Sequence, residues 1–326
     1  MATTPEMHFR EWGDGPRVLA LHGLGLESSS FIGVGDEMVE RGFRMMAADL
    51  PGFGLTPASG RPLTPAAMAE PVLELAERLD SKPIVMGMSL GGRVALQAAL
   101  EAPELFRGAV MVAPPLPFRT RRCLLQAARF LSPGIAQRIP IDRAWPCLKR
   151  LADDLEGGLT GDEQRDWVLR ASRRAIYYIS CPATRWAMVS ATRELALDPA
   201  DGPDSLWTRL PDLSVPAAFV WGDKDKFVSQ ANIPLLEELV PRAFQFRVPC
   251  SGHYNNGPHY RCLQTATIEA IQLVDAVARR ERRAATARSR RRVIECCAVD
   301  GEAPPVATPV GDGPCEPAYE LCGTGA

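Results

Sequence analysis

A serine hydroxyl attacks a carbonyl carbon only when it stands clear of the backbone, with a base to take its proton and an acid to hold that base. Residues 83–93, PIVMGMSLGGR, set one serine among glycines, and Gly87-Met88-Ser89-Leu90-Gly91 fits the G-x-S-x-G pattern. Four apolar residues precede it and a helical pattern follows. Glycine on either side lets a strand and a helix approach closely without Cβ clashes. The tight turn strains the serine backbone and lifts the hydroxyl toward the positive end of the following helix. Small residues at a strand–helix junction can also serve packing alone, so the motif needs partners.

Partners stand in a workable order. Ser251-Gly252-His253 follows the apolar stretch FQFRVPC, on a loop before the last helix. Between serine and histidine, Trp221-Gly222-Asp223-Lys224-Asp225 follows AAFVW and supplies two candidate acids. His259 is a rival base, but it lies nearer the start of the last helix and lacks a preceding glycine. Serine, acid and base all fall just past the C-terminal ends of expected strands, where open α/β sheets build their sites. Tyr254 and Asn255, in the polar and aromatic loop that follows, are candidates to face a substrate.

The elements that would carry these residues are short apolar runs separated by amphipathic segments. Residues 17–21, 43–48, 83–88 and 108–112 read as strands buried on both faces, and 217–221 and 244–248 resume the pattern. Residues 65–79 and 90–102 read as helices, and a final helix is expected over roughly 260–278. Strand and helix in alternation predict right-handed βαβ units and an α/β fold with a mostly parallel central sheet flanked by helices. From 114 to about 211 no strand pattern appears, and arginine-rich helical segments punctuated by prolines take its place. The expected organisation is a core of residues 1–115 and 212–278, an inserted helical cap over 116–211, and a C-terminal tail over 279–326.

Together these residues resemble the α/β-hydrolase fold family over about residues 6–278. The resemblance rests on His22-Gly23-Leu24-Gly25, Asp49-Leu50-Pro51-Gly52-Phe53-Gly54, GMSLGG, WGDKD and SGH, which occur in the family's order. It implies Ser89 as nucleophile, Asp225 as the triad acid and His253 as the base. Asp225 is preferred to Asp223 because the family spaces this acid as G-x-x-D, here from Gly222. Ser229 departs from the pattern, where a proline often follows the acid. The resemblance also implies an oxyanion hole made by the backbone N–H groups of Leu24 and Leu90. His22 is expected to brace its loop rather than to move protons, and Asp49 with Pro51-Gly52-Phe53-Gly54 to form a turn beside the pocket. A serine at position 89 separates the chain from epoxide hydrolases and haloalkane dehalogenases, which use aspartate there.

Composition narrows the function classes. The 326 residues are 46% hydrophobic and 23% charged with a formal net charge of −2, an ordinary soluble balance with no general affinity for nucleic acid or anionic membrane. No apolar run approaches the ~18 residues of a membrane span, and MATTPEMHFREWG lacks a secretory h-region. A cytoplasmic location with nine reduced cysteines is therefore expected. Cys123, Cys147, Cys181, Cys250 and Cys262, scattered among apolar neighbours, read as small core residues. Four histidines and no Cys-x-x-Cys pair make a zinc site improbable, and no metal or organic cofactor is expected.

The cap sequence combines arginines (Arg119, Arg121, Arg122, Arg129, Arg173, Arg174, Arg185) with aromatics (Phe118, Phe130, Trp145, Trp167, Tyr177, Tyr178, Trp186). Either its apolar faces pack on the sheet, or its inner face lines a pocket for an apolar acyl or aromatic group. Residues 279–292 carry eight arginines and one glutamate, and 293–326 carry six acids and no basic residue. The latter stretch has the composition of a disordered segment, and the arginine run can prolong the last helix. Neither has the aromatic interleaving of a nucleic-acid site. The expected function is hydrolysis of a carboxylic ester or related carbonyl substrate through an acyl-enzyme on Ser89. A non-catalytic ligand-binding protein of the same fold, an acyltransferase and a cofactor-free haloperoxidase-like enzyme are the alternatives.

Overall fold

A computed structural model describes residues 5–117, 127–140, 176, 180–225, 227–228, 230–253 and 260–297. Among them the strands are β1 (Phe9–Trp12), β2 (Arg17–Leu21), β3 (Arg44–Ala48), β4 (Ile84–Met88), β5 (Gly108–Val112), β6 (Ala217–Gly222) and β7 (Phe244–Val248). They form one seven-stranded sheet in the order β1-β3-β2-β4-β5-β6-β7. Every pairing is parallel except β1 with β3. The expected mostly parallel sheet is present.

The helices are α1 (Ile32–Glu40), α2 (Pro65–Glu77), α3 (Leu90–Glu101), α4 (Pro133–Arg138), α5 (Pro182–Leu197), α6 (Leu206–Arg209), α7 (Ile233–Leu239) and α8 (Tyr260–Cys297). Alternate residues of a strand point to opposite faces, and β2 divides its side chains accordingly. Leu19 and Leu21 pack with α2, α3 and α7 on one face; Val18 and Ala20 pack with α1 and the first turns of α8 on the other. All five residues of β2, β4 and β5 are buried. That is why these strands read as unbroken apolar runs rather than alternating ones.

Three elements of the sheet-bearing part escaped the sequence reading, β1, α1 and α7, and the last helix runs past the bound given for it. β1 (FREW) is half exposed and lacks an apolar run, so no periodicity marks it; it is held by pairing with β3. Helix α1 carries two glycines among nine residues, which dilutes its helical pattern. The final helix does not stop near 278 but continues to Cys297, so residues 279–297 of the expected tail are helical. Arginine is a good helix former, and the run lacks the glycine or proline that would end it. The chain divides into two compact units, residues 1–280 and 281–326.

The reading of the single cysteines as core residues fails at Cys262 and holds in part at Cys250, which packs against the edge of the core. Cys262 is exposed, and Cys181 and Cys250 are only partly buried. Each stands at the beginning of a helix or on a loop, where a small residue need not face inward. Cys123 and Cys147 lie outside the described residues, as do Trp145, Trp167, Tyr177, Tyr178, Phe118, Arg119, Arg121, Arg122, Arg173 and Arg174 of the cap, Ser229, Tyr254, Asn255 and His259, and the stretch 298–326.

No strand occurs among the described residues of 116–211. Helix α5 is tied to the sheet-bearing part at its middle and at its C-terminal end. Ser190 Oγ accepts a hydrogen bond from the Leu63 N–H at 3.0 Å. At the C-cap, Asp198 accepts from Arg93 Nε at 3.0 Å and Nη2 at 2.9 Å, while Nη1 donates to Gln97 at 2.7 Å. Arg93 is buried, and burial draws its pKa down against the opposing pull of Asp198. Removing one partner of a buried pair strands the other charge, which typically costs about 3–5 kcal/mol. Asp198→Ala should therefore lower the unfolding free energy by about 3 kcal/mol, read from urea denaturation midpoints at constant m-value. A loss below about 1 kcal/mol would show that solvent reaches Arg93 easily.

Candidate functional site

Parallel register brings four strand ends to one edge of the sheet. Leu21 of β2 lies opposite Gly87 of β4, Met88 of β4 opposite Val112 of β5, and Gly222 of β6 opposite Val248 of β7. The next residues along each chain are His22-Gly23-Leu24, Ser89, Asp223–Asp225 and Ser251–His253. The candidate groups therefore converge on one edge.

Ser89 has φ 53° and ψ −118°, in the left-handed half of the map where only glycine sits without strain. Such a conformation costs on the order of 1–3 kcal/mol and persists because its surroundings hold it. Its N–H donates to the Val112 carbonyl at 2.8 Å, and its own carbonyl accepts from the Arg93 N–H at 3.0 Å, opening α3. A Cβ on Gly91 would run into the Leu21 and His22 carbonyls, and one on Gly87 into the Gly91 backbone. The glycines flanking Ser89 are thus space requirements of the turn.

The three side chains named from the sequence meet. His253 Nε2 lies 2.9 Å from Ser89 Oγ, and His253 Nδ1 lies 2.7 Å from Asp225 Oδ2. A carboxylate only accepts, so Nδ1 carries the proton and Nε2 accepts from the serine hydroxyl. The side chains of His253 and Asp225 are 4% and 1% exposed, shielded enough to strengthen the charge-assisted bond between them. Asp225 Oδ1 also accepts the N–H groups of Phe227 at 2.8 Å and Val228 at 2.9 Å, so both its oxygens are engaged. The acid and histidine loops touch backbone to backbone: a Cβ on Gly222 would overlap the Gly252 and Ser251 carbonyls.

Asp223, the other acid of WGDKD, points away. It pairs with Arg247 of β7, donor Nε to Oδ1 at 2.7 Å, on the surface. The Leu24 loop runs beside the serine, since the Cβ position of Gly23 is 3.4 Å from Ser89 Cβ. Leu90 is the first residue of α3, where an N–H has no carbonyl partner within its own helix.

His22 and Asp49 act as loop braces. His22 is wholly buried; its Nδ1–H donates to the Gly23 carbonyl at 2.8 Å and its Nε2 accepts from the Leu50 N–H at 2.9 Å. Its ring also meets Phe53 edge-on at 5.6 Å. Asp49 accepts from the N–H groups of Ser28 and Leu55 and from His8. Burial raises the Asp49 pKa, but these hydrogen bonds outweigh it and hold the group below its ordinary range.

Burial holds His22 below the ordinary histidine pKa of 6.5, with the Gly23 bond and Asp49 opposing. Well above that pH neither folded nor unfolded chain is charged at this residue. As pH falls through it the unfolded chain takes up a proton that the folded chain refuses, so stability declines, by up to about 1.4 kcal/mol per pH unit. Between pH 7.5 and 5.5 the urea midpoint of wild type should fall more steeply than that of His22→Asn, which cannot charge. Equal slopes would assign the acid sensitivity to other groups.

Two neighbours of the site were not read from the sequence. Phe227 sets its ring 5.5 Å from that of His253, tilted 40°. Met188 of α5 lies against the loop of Gly23–Gly25, its methyl group 3.4 Å from the Cβ position of Gly25. Only the position of Phe227, two residues past the acid, hints at its place. Nothing in the periodicity of α5 singles out Met188. Among the described residues no group of histidine, cysteine and carboxylate side chains is arranged to hold a metal ion, and no helix is long and apolar enough to cross a membrane.

Comparison with known proteins speaks to the family and the fold. A family model described as alpha/beta hydrolase fold matches residues 16–260. The pimeloyl-[acyl-carrier protein] methyl ester esterase of Aeromonas hydrophila is 30% identical over 235 residues, covering 71% of this chain and 85% of that protein. Among solved structures, the enol-lactonase of Burkholderia xenovorans superposes with a TM-score of 0.61 at 18% identity, covering 82% of this chain and 97% of the other. A thermophilic esterase of Thermogutta terrifontis gives 0.58 at 21% identity, covering 86% and 94%. At those identities the superpositions speak to the fold.

Proposed function

The chain belongs to the α/β-hydrolase fold family, and we propose that it is a serine esterase that cleaves a carboxylic ester through an acyl-enzyme on Ser89. The observation that carries this reading is the continuous relay from Ser89 Oγ through His253 to Asp225, at 2.9 and 2.7 Å. Esterases among the sequence relatives support the same reaction class.

The chemistry follows from the proton positions. As Ser89 Oγ attacks the ester carbonyl, His253 Nε2 takes the hydroxyl proton, and Asp225 stabilises the imidazolium through Nδ1–H. The carbonyl oxygen becomes negative and is held by the N–H groups of Leu24 and Leu90; one such donor is worth about 3–4 kcal/mol in the transition state. Collapse of the tetrahedral adduct breaks the bond to the alcohol oxygen, which leaves with the proton from His253. Water then enters, gives its proton to His253, and attacks the acyl carbon. Collapse of the second adduct returns the proton to Ser89 and releases the acid. No metal or organic cofactor takes part, and the partner is a small-molecule ester with an apolar acyl or aromatic group. A cytoplasmic location is part of this reading.

Labelling the folded protein with a fluorophosphonate probe, followed by intact mass, tests the reading. A single covalent phosphonyl adduct, with turnover of nitrophenyl esters, is the expected result. A folded protein that neither labels nor turns over would overturn it in favour of ligand binding without catalysis. Product analysis with added alcohol separates hydrolysis from acyl transfer: free acid as the main product is expected, and a new ester in its place would make the chain an acyltransferase.

A further inference from the structure

Phe227 is 61% exposed, unusual for a phenyl group held at a fixed place beside a buried histidine. Its backbone is pinned, because its N–H donates to Asp225 Oδ1 at 2.8 Å, in the turn that orients the acid. Its ring stands 5.5 Å from the imidazole of His253, tilted by 40°. The phenyl therefore borders the residue that handles protons, while Phe227 as a whole is 61% exposed.

Geometry then selects which half of an ester such a ring meets. In the collapse of the tetrahedral adduct the proton passes from His253 Nε2 to the oxygen of the leaving alcohol, so that oxygen must lie on the histidine side of the serine. The acyl carbon stays bonded to Ser89, and its oxygen turns away toward the loop of Leu24 and the start of α3. Resting on the serine-esterase reading, we infer that Phe227 is a specificity-determining residue that packs against the alcohol portion of the ester. The substrate class it favours is esters of an extended apolar or aromatic alcohol. A methyl ester has too little alcohol carbon to reach the ring, and its hydrolysis should be indifferent to Phe227.

Three substrates divide the possibilities: hexyl acetate, ethyl acetate and methyl hexanoate, assayed by acid release with wild type, Phe227→Ala and Phe227→Leu. Phe227→Ala should lower kcat/KM about tenfold on hexyl acetate, mainly through KM, and leave the other two within about twofold. Phe227→Leu, still apolar and nearly as large, should recover most of the loss. Unchanged hexyl acetate kinetics would overturn the inference. A loss confined to methyl hexanoate would also overturn it, by moving the contact to the acyl chain. An equal loss on all three would reduce Phe227 to a support for Asp225 and His253. Fluorophosphonate labelling of the same proteins keeps the two readings apart. A labelled wild type and a labelled Phe227→Ala show the serine chemistry intact, so a failed substrate pattern counts against Phe227 alone. An unlabelled wild type removes the esterase reading and this inference with it.

Discussion

Ser89→Ala should abolish fluorophosphonate labelling and lower kcat on any ester substrate by about 10⁴- to 10⁶-fold. The variant loses the oxygen that becomes bonded to the acyl carbon, so no covalent intermediate can form. On the proposed mechanism, substrate binding and the backbone donors of Leu24 and Leu90 remain, and they leave a residual rate above that of water. The Cβ of alanine occupies the same strained φ of 53° as that of serine, so the elbow is neither relieved nor further loaded. Thermal melting should accordingly shift by no more than a few degrees, and unchanged melting with abolished labelling separates chemical from structural loss. Labelling that survives in Ser89→Ala would place the nucleophile elsewhere.

Asp225→Asn is expected to lower kcat by about 10⁴-fold, and the reason lies in the second oxygen of the acid. Asp225 Oδ1 accepts two backbone N–H groups, from Phe227 and Val228. In the variant the amide must keep its carbonyl oxygen there, because its NH₂ cannot accept. The NH₂ then faces His253 Nδ1, which must give up its proton to become an acceptor. That proton moves to Nε2, the atom 2.9 Å from Ser89 Oγ, and a protonated Nε2 cannot take the hydroxyl proton. Asp223→Asn is the internal control. Its carboxylate holds Arg247 on the surface, a contact worth at most about 1 kcal/mol, so kcat should stay within about threefold. Steady-state kinetics of both variants on one ester decide the matter. Comparable losses, or a larger one at Asp223, would transfer the acid role.

How much of this was legible beforehand depends on how local each cause is. Strands β2, β4, β5 and β6 are buried along their whole length, so their apolar runs carry the signal in their own residues. β1 is an edge strand whose stability comes from its pairing with β3, and its FREW sequence carries none. The cysteines mislead for the complementary reason. An apolar neighbourhood in sequence does not say which side of a helix or loop faces the core, and Cys262 faces out. The last helix outruns its apolar stripe because arginine favours helix without any need for burial. Apolar periodicity marks where a helix packs, not where it ends.

By itself the amino-acid sequence determined the α/β fold, the place of Ser89 on a strand–helix turn, and the order of serine, acid and histidine past successive strand ends. It could do so because a tight turn requires missing Cβ atoms, and those requirements appear as glycines beside the serine. The tertiary structure alone decided relations between side chains distant along the chain. It sends Asp225 to His253 while its near neighbour Asp223 faces Arg247, a choice made by how the loop bonds to β7 and to Ser251. It joins Arg93 to Asp198 across 105 positions, and it sets Phe227 beside the imidazole. No local propensity encodes such pairings, since side-chain direction on a loop is set by the packing of elements that meet only when the chain has folded.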